Sequence, residues 1–186
     1  MTPQIRSVCV FCGSRPGTRA PYAGTAAEVG RMLAAENWRL VYGAGDVGLM
    51  GEVARAAQSS GAQTFGVIPT HLVEREHAKR DVSSFVITSN MHERKTVMYM
   101  NSDALVVLPG GAGTLDEFFE VLTWRQIGLH DKPIFLLDVE GYWAPLVALI
   151  DHVVAEGFAG ADIQEAIRVV PDVATLHAEL KKVLGG

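Results

Sequence analysis

The chain has 186 residues, 48% of them hydrophobic, with 16 lysines and arginines against 21 acidic residues and a formal charge of -5. That length suits one domain with a large core, and the negative charge excludes the positive field that an extended nucleic acid demands of its partner. No apolar run reaches membrane-spanning length or makes a signal peptide, so the expected compartment is the cytoplasm, with no membrane partner.

Residues 5–11, Ile-Arg-Ser-Val-Cys-Val-Phe, predict the first strand, followed by a glycine-bearing turn through Cys12, Gly13, Ser14, Arg15, Pro16 and Gly17. Between Pro21 and Glu36, Ala26, Val29, Met32 and Leu33 recur at helical spacing, with Pro21 suited to the first turn. A short strand is expected over 38–42. Gly43-Ala44-Gly45-Asp46-Val47-Gly48 then leads into a helix over 49–60 that Gly61 closes. Cys9 and Cys12 form a single C-x-x-C among strand formers, and no second pair completes a zinc site; they are read as packing residues.

Thr64 to Ile68 predicts a third strand ended by Pro69, and His71 to Asp81 is polar and of mixed charge, hence a loop. Within it Glu74, Arg75 and Glu76 read either as a solvated charge cluster or as ligand contacts. Phe85 to Thr88 is the fourth strand, and Asn90 caps a helix running to about Asn101. On a wheel of about 100° per residue Arg94 falls in the apolar stripe between Met91 and Met98 on one side and Val97 on the other, whereas His92 faces elsewhere. Arg94 is therefore expected to point inward, and a buried guanidinium needs an anion, either an internal carboxylate or a ligand phosphate.

The apolar run Ala104 to Leu108 predicts a strand buried on both faces, and Pro109 ends it. Gly110, Gly111 and Gly113 then precede a helix expected to start at Thr114 and to run through Phe118, Leu122 and Ile127 to Gly128. The glycines are expected to take positive φ and to admit a ligand, and the helix start offers unpaired N–H groups and the positive end of a dipole, which suits a phosphate. Thr114 and Glu117 also have capping-box spacing, which by itself would account for both residues. Neither a Gly-Lys-Ser/Thr nor a G-x-G-x-x-G after the first strand is present, so no triphosphate or dinucleotide is specified.

Strands at 134–137 and 167–170 and helices at 142–155 and 172–184 complete the chain. Alternation of strands and helices along the chain predicts an α/β fold, a Rossmann-like doubly wound parallel sheet with helices on both faces, as one nucleotide-binding domain over 1–186. Ligands of such sheets bind beyond the carboxyl ends of the strands. The three glycine-bearing exits lie on that edge, which makes Gly13, Ser14, Gly43 and Gly45 further candidates.

Pro109-Gly-Gly-Ala-Gly-Thr-Leu-Asp-Glu117 and Met91-His-Glu-Arg-Lys95 resemble the two signature motifs, P-G-G-x-G-T-x-x-E and M-H-x-R-K, of the LONELY GUY family. The similarity runs from Val8 to the region of Gly157 and Phe158. It implies a cytokinin riboside 5′-monophosphate phosphoribohydrolase, although some members are labelled lysine decarboxylases. Such an enzyme hydrolyses the N-glycosidic bond of AMP or an N6-substituted AMP to free base and ribose 5-phosphate. The resemblance implies no metal or organic cofactor, and a homodimer. By the same match Arg94 and Glu117 are catalytic. Lys95, Gly110, Gly111, Ala112, Gly113, Thr114, Leu115 and Asp116 bind the nucleotide, and Glu76 and Thr123 make further substrate contacts. Ala44 stands where relatives commonly have glycine, and its methyl group is expected to tighten that turn.

Chemically, a carboxylate at Glu117 would stabilise an oxocarbenium-like transition state while positioning or deprotonating a water. A capping-box position would keep it ionised, and Arg94 would orient it or hold the nucleotide. The leaving base needs a proton as well, and the sequence assigns it no donor; Asp116, rotated by about 100°, and Glu120, on the same face one turn later, are the carboxylates that rival Glu117. Two other readings are a nucleotide-binding carrier without turnover and a pyridoxal-phosphate decarboxylase, which needs a Schiff-base lysine. Phe119, Trp124 and Trp143 suit either a dimer interface or the core.

Overall fold

The apolar runs pair side by side as parallel strands. The computed structural model describes residues 5–185. Its strands are β1 (Ser7–Phe11), β2 (Arg39–Tyr42), β3 (Thr64–Pro69), β4 (Ser84–Thr88), β5 (Ala104–Val107), β6 (Ile134–Leu137) and β7 (Ile167–Val170), in the order β4-β3-β2-β1-β5-β6-β7. All pairings are parallel, with Val8 opposite Leu40 on one side and Ala104 on the other. Helices α1 (Pro21–Ala35), α2 (Gly48–Ser59), α3 (Met91–Met100), α4 (Ala112–Gln126), α5 (Ala144–Ala155), α6 (Asp162–Glu165) and α7 (Val173–Leu184) cover both faces.

Alternation along β1 feeds two cores. Val8 and Val10 pack with α1, α2 and α7 on one face, and Cys9 and Phe11 with α3, α4 and α5 on the other. Cys9 and Cys12 thus belong to opposite faces of the sheet. Both are free and buried, and burial pushes both thiols above their ordinary range.

From β1 the chain steps outward through β2, β3 and β4, then returns to lay β5 on the other flank of β1. The strand order reverses there, and the exits of β1 and β5 meet.

Several boundaries differ from expectation. Helix α4 starts at Ala112, ahead of Thr114, and α5 at Ala144 rather than at residue 142. Pro69 is the last residue of β3, opposite Thr88, where its missing N–H costs the ladder little. The segment after it opens with a 3-10 turn over Thr70–Leu72. The Gly45–Ala78 bridge and the Lys79 N–H donating to Ala44 O at 2.8 Å pin that segment to the β2 exit. Among the described residues no helix is long and apolar enough to cross a membrane.

Candidate active site

The β1 and β5 exits are joined by backbone: Gly13 N donates to Pro109 O at 3.0 Å, and Leu49 N at the start of α2 donates to Gly13 O at 3.0 Å. Between them opens a cleft of about 560 Å³ at the carboxyl edge of the sheet. Gly13, Ser14, Gly110, Gly111, Ala112, Gly113, Thr114, Glu76, Arg94 and Glu117 all line it.

The glycine turn does not take the backbone expected of it. Positive φ occurs at Gly17 and Gly48, among others, but at none of Gly110, Gly111 and Gly113. Because α4 begins at Ala112, Gly113 is already helical. Gly110 is required by packing: a Cβ there would collide with the Thr114 hydroxyl and come within 2.9 Å of Gly13 N. At Gly111 and Gly113 a Cβ would meet no atom within 4 Å. Their open side is the space a ligand needs to reach the helix start.

The capping box is not formed. Gly111 is the N-cap with no side-chain cap bond, which puts Thr114 at the third helical position, folded against Gly110. Glu117 is buried one turn further on. Its carboxyl is therefore not held ionised by a cap. Burial pushes its pKa up to about 7, Glu76 and Asp116 add to the rise, and Arg94 opposes it.

Arg94 points inward, as its place on the wheel requires, and is 3% exposed. Asn90 caps α3 by accepting from Glu93 N at 2.9 Å, which fixes the rotation of the helix. The Arg94 guanidinium donates to Val67 O at 3.1 Å, to Gly43 O at 2.5 Å and to the Glu76 carboxylate at 3.0 Å. Its Nη1 has the Met91 sulfur at 3.9 Å. Glu76 is thus an ion-pair partner and not part of a solvated cluster. Gly43 and Gly45 do not line the cleft but make room for this pair. A Cβ on Gly43 would strike the guanidinium, and one on Gly45 would lie 2.8 Å from Met50 Cε and 3.3 Å from Glu76 Cβ.

The remaining resemblance-derived positions lie outside the cleft. Lys95 pairs with Asp116 at 2.9 Å and with Glu120, so both rival carboxylates are engaged with a lysine. Leu115 is half-buried and Thr123 is exposed, further along α4. Ala44 adopts φ +57, a left-handed conformation that disfavours a side chain. Its methyl lies over Gly66, where an added Cβ would sit 2.8 Å from it.

Two aromatic side chains that the sequence does not single out complete the wall. Tyr142 donates its hydroxyl to Gly110 O at 2.6 Å, and Tyr22 packs edge-on against it with ring centroids 5.6 Å apart. Arg15, inside the glycine-rich exit of β1, also lines the cleft; a cation between such glycines was the available sign.

A family described as "Possible lysine decarboxylase" matches residues 50–180. A protein of Oryza sativa subsp. japonica, named a probable cytokinin riboside 5′-monophosphate phosphoribohydrolase, is 46% identical over 95% of this chain and 78% of its own length. An Arabidopsis thaliana cytokinin riboside 5′-monophosphate phosphoribohydrolase is 42% identical over 96% of this chain and 83% of its own. The chain belongs to the LONELY GUY family. Both LONELY GUY signature motifs meet in the cleft, Arg94 from one and Glu117 from the other.

Two solved structures share the fold. The molybdenum cofactor carrier protein of Chlamydomonas reinhardtii aligns with a TM-score of 0.74 at 24% identity, over 98% of this chain and 100% of that one. The molybdenum cofactor binding protein of Rippkaea orientalis aligns with 0.71 at 21%, over 98% and 99%. At those identities the likeness is one of architecture.

The decarboxylase description implies pyridoxal phosphate, which is held through a Schiff-base lysine. No lysine lines the cleft among the described residues, and Lys95 is committed to two carboxylates. The residues present do not fit that group.

Proposed function

We propose that this chain hydrolyses the N-glycosidic bond of AMP or an N6-substituted AMP, the monophosphate of a cytokinin riboside, to free base and ribose 5-phosphate. One juxtaposition carries the reading. An open glycine turn at a helix start shares a cleft with a buried carboxylate and a buried guanidinium. The turn from Gly110 to Thr114 takes the 5′-phosphate on its N–H groups. Glu117 then sits beside the sugar. A carboxyl with a pKa of about 7 is matched to deprotonating a water at neutral pH, and its anion stabilises the oxocarbenium-like transition state.

Arg94 has a double part. Nε and Nη2 are spent on Val67 O, Gly43 O and Glu76, which hold the side chain still. Nη1 is the end left to meet the nucleotide.

The assembly we propose is a homodimer. Its support is the exposed apolar side chains Met100, Phe119, Ile127 and Leu129 on α3, α4 and the turn after α4. These helices also carry Lys95, Asp116 and Thr123. Trp143, only 2% exposed, is core. The chain acts as one nucleotide-binding domain in the cytoplasm, without nucleic-acid or membrane partners.

The test is release of free base, followed chromatographically, from AMP, N6-isopentenyl-AMP and adenosine. Base should appear from one or both monophosphates and not from adenosine. Tight binding of AMP without base release would overturn hydrolysis in favour of a carrier.

A further inference from the structure

We propose that Arg15 binds and selects the 5′-phosphate, a role that rests on reading the cleft as a monophosphate site. Two carboxyl groups, Glu76 and Glu117, and two guanidinium groups, Arg15 and Arg94, line the cleft. The charge of Arg94 is matched by Glu76 at 3.0 Å. A phosphate monoester brings a charge of about −1.5 to −2 at neutral pH, and a helix start answers with only about half a positive charge. Without another cation the cleft would repel the group that its glycine turn is shaped to receive.

Arg15 is that cation, and its backbone is fixed where it is needed. A Cβ placed on Gly13 would touch Arg15 O and Gly110 Cα, each at 3.2 Å, so Arg15 and the glycine turn flank the same residue. Gly48, at φ +53, lies so close under the Ser14–Arg15 peptide that any side chain there would collide with it. Leu49 N holds Gly13 O from below. Backbone is clamped on three sides while the side chain of Arg15 is exposed. No ion pair or hydrogen bond within the described residues occupies its guanidinium. Its planar fork suits two phosphate oxygens at once.

The experiment compares the parent with Arg15→Ala and Arg15→Lys in the full chain. It reads kcat and KM for AMP, the inhibition constant of ribose 5-phosphate, adenosine turnover and the melting temperature. Losing a charge-assisted bond should raise KM and the inhibition constant by about ten- to one-hundred-fold. The melting temperature should be unchanged, kcat should stay within about three-fold, and lysine should recover part of the loss. Two results would overturn the role of Arg15 alone: a parent selective for AMP over adenosine whose Arg15→Ala variant keeps KM within two-fold, or a rise in KM matched by lost thermal stability. A parent that cleaves adenosine as well as AMP would instead overturn the monophosphate reading beneath it, and Arg15 with it.

Discussion

Arg94 Nη2 lies 3.0 Å from Glu76 Oε2, and the two side chains are 4% and 15% exposed. This pair ties α3 to the segment after β3. Because Gly43 O and Val67 O accept from the same guanidinium, removing it strands two carbonyls as well as a carboxylate. Arg94→Ala should therefore cost about 3–5 kcal/mol of stability besides abolishing turnover. In a Glu76→Ala background the same change should cost at least about 1 kcal/mol less. Urea unfolding of the four proteins of the cycle measures both numbers; additive losses would contradict the pairing.

Glu117 sets stability against activity. Its pKa in the fold, about 7, stands above the ordinary 4.5. The stability that the neutral acid contributes is fully present below the lower value and is lost as pH rises through the upper one, roughly 3 kcal/mol in all. Glu117→Gln stays neutral, so it should match the parent near pH 5 and melt several degrees higher at pH 8. It should also lose about 10²-fold or more in kcat, while the parent's kcat/KM climbs with pH to a plateau above about 7. Thermal melts at the two pH values and a pH–rate profile test this. Turnover by the glutamine variant within a factor of three of the parent would end the catalytic assignment.

The two kinds of glycine in the turn should separate cleanly. Gly110→Ala meets Thr114 and the Gly13 backbone and should destabilise the fold by about 1–3 kcal/mol. Gly113→Ala meets nothing within 4 Å and replaces a helical glycine, so it should leave the stability equal or raised by up to about 1 kcal/mol. A methyl in that space should nevertheless raise KM for AMP, because a phosphate on the turn would have to share it. A Gly113→Ala protein with unchanged KM would place the phosphate elsewhere.

Tyr142→Phe removes the bond to Gly110 O and keeps the ring contacts with Tyr22 and Trp143. An exposed neutral hydrogen bond contributes about 1 kcal/mol. KM should rise several-fold with only a small change in melting temperature. Steady-state kinetics beside a melt decides between a fixed turn and an idle tyrosine.

Periodicity made the sheet, the helices and the inward turn of Arg94 legible, because burial of an apolar stripe leaves a guanidinium at residue 94 no other direction. Its partner was not legible. Glu76 sits in a charged stretch without periodicity, and the Gly45–Ala78 bridge, with Asp46 N donating to Glu76 O and Lys79 N to Ala44 O, brings it to α3. The spacing of Thr114 and Glu117 misled for a related reason: residues three apart share a helix face anywhere along a helix, so the pattern could not say that α4 starts at Ala112. The charge state of Glu117 follows from desolvation by both halves of the fold, which sequence neighbours do not report. Tyr142 reaches Gly110 through tertiary packing alone, and α6 is too short to leave a periodic trace.

The meeting of β1 and β5 has a consequence for folding. Gly13 N reaches Pro109 O, and Leu108 N reaches Phe11 O at 2.9 Å, across a seam between two halves of the sheet that are each built from near neighbours in sequence. Closing that seam is the long-range step, with the greatest loop-closure entropy to overcome. Residues on both sides of it line the cleft, so the cleft exists only once the halves have docked. A nucleotide bound there acts as a rivet: by linkage it stabilises the closed state in proportion to its affinity. Amide exchange at Gly13 and Leu108 should slow together on adding AMP, whereas amides of the edge strand β4 should change only as the whole molecule does.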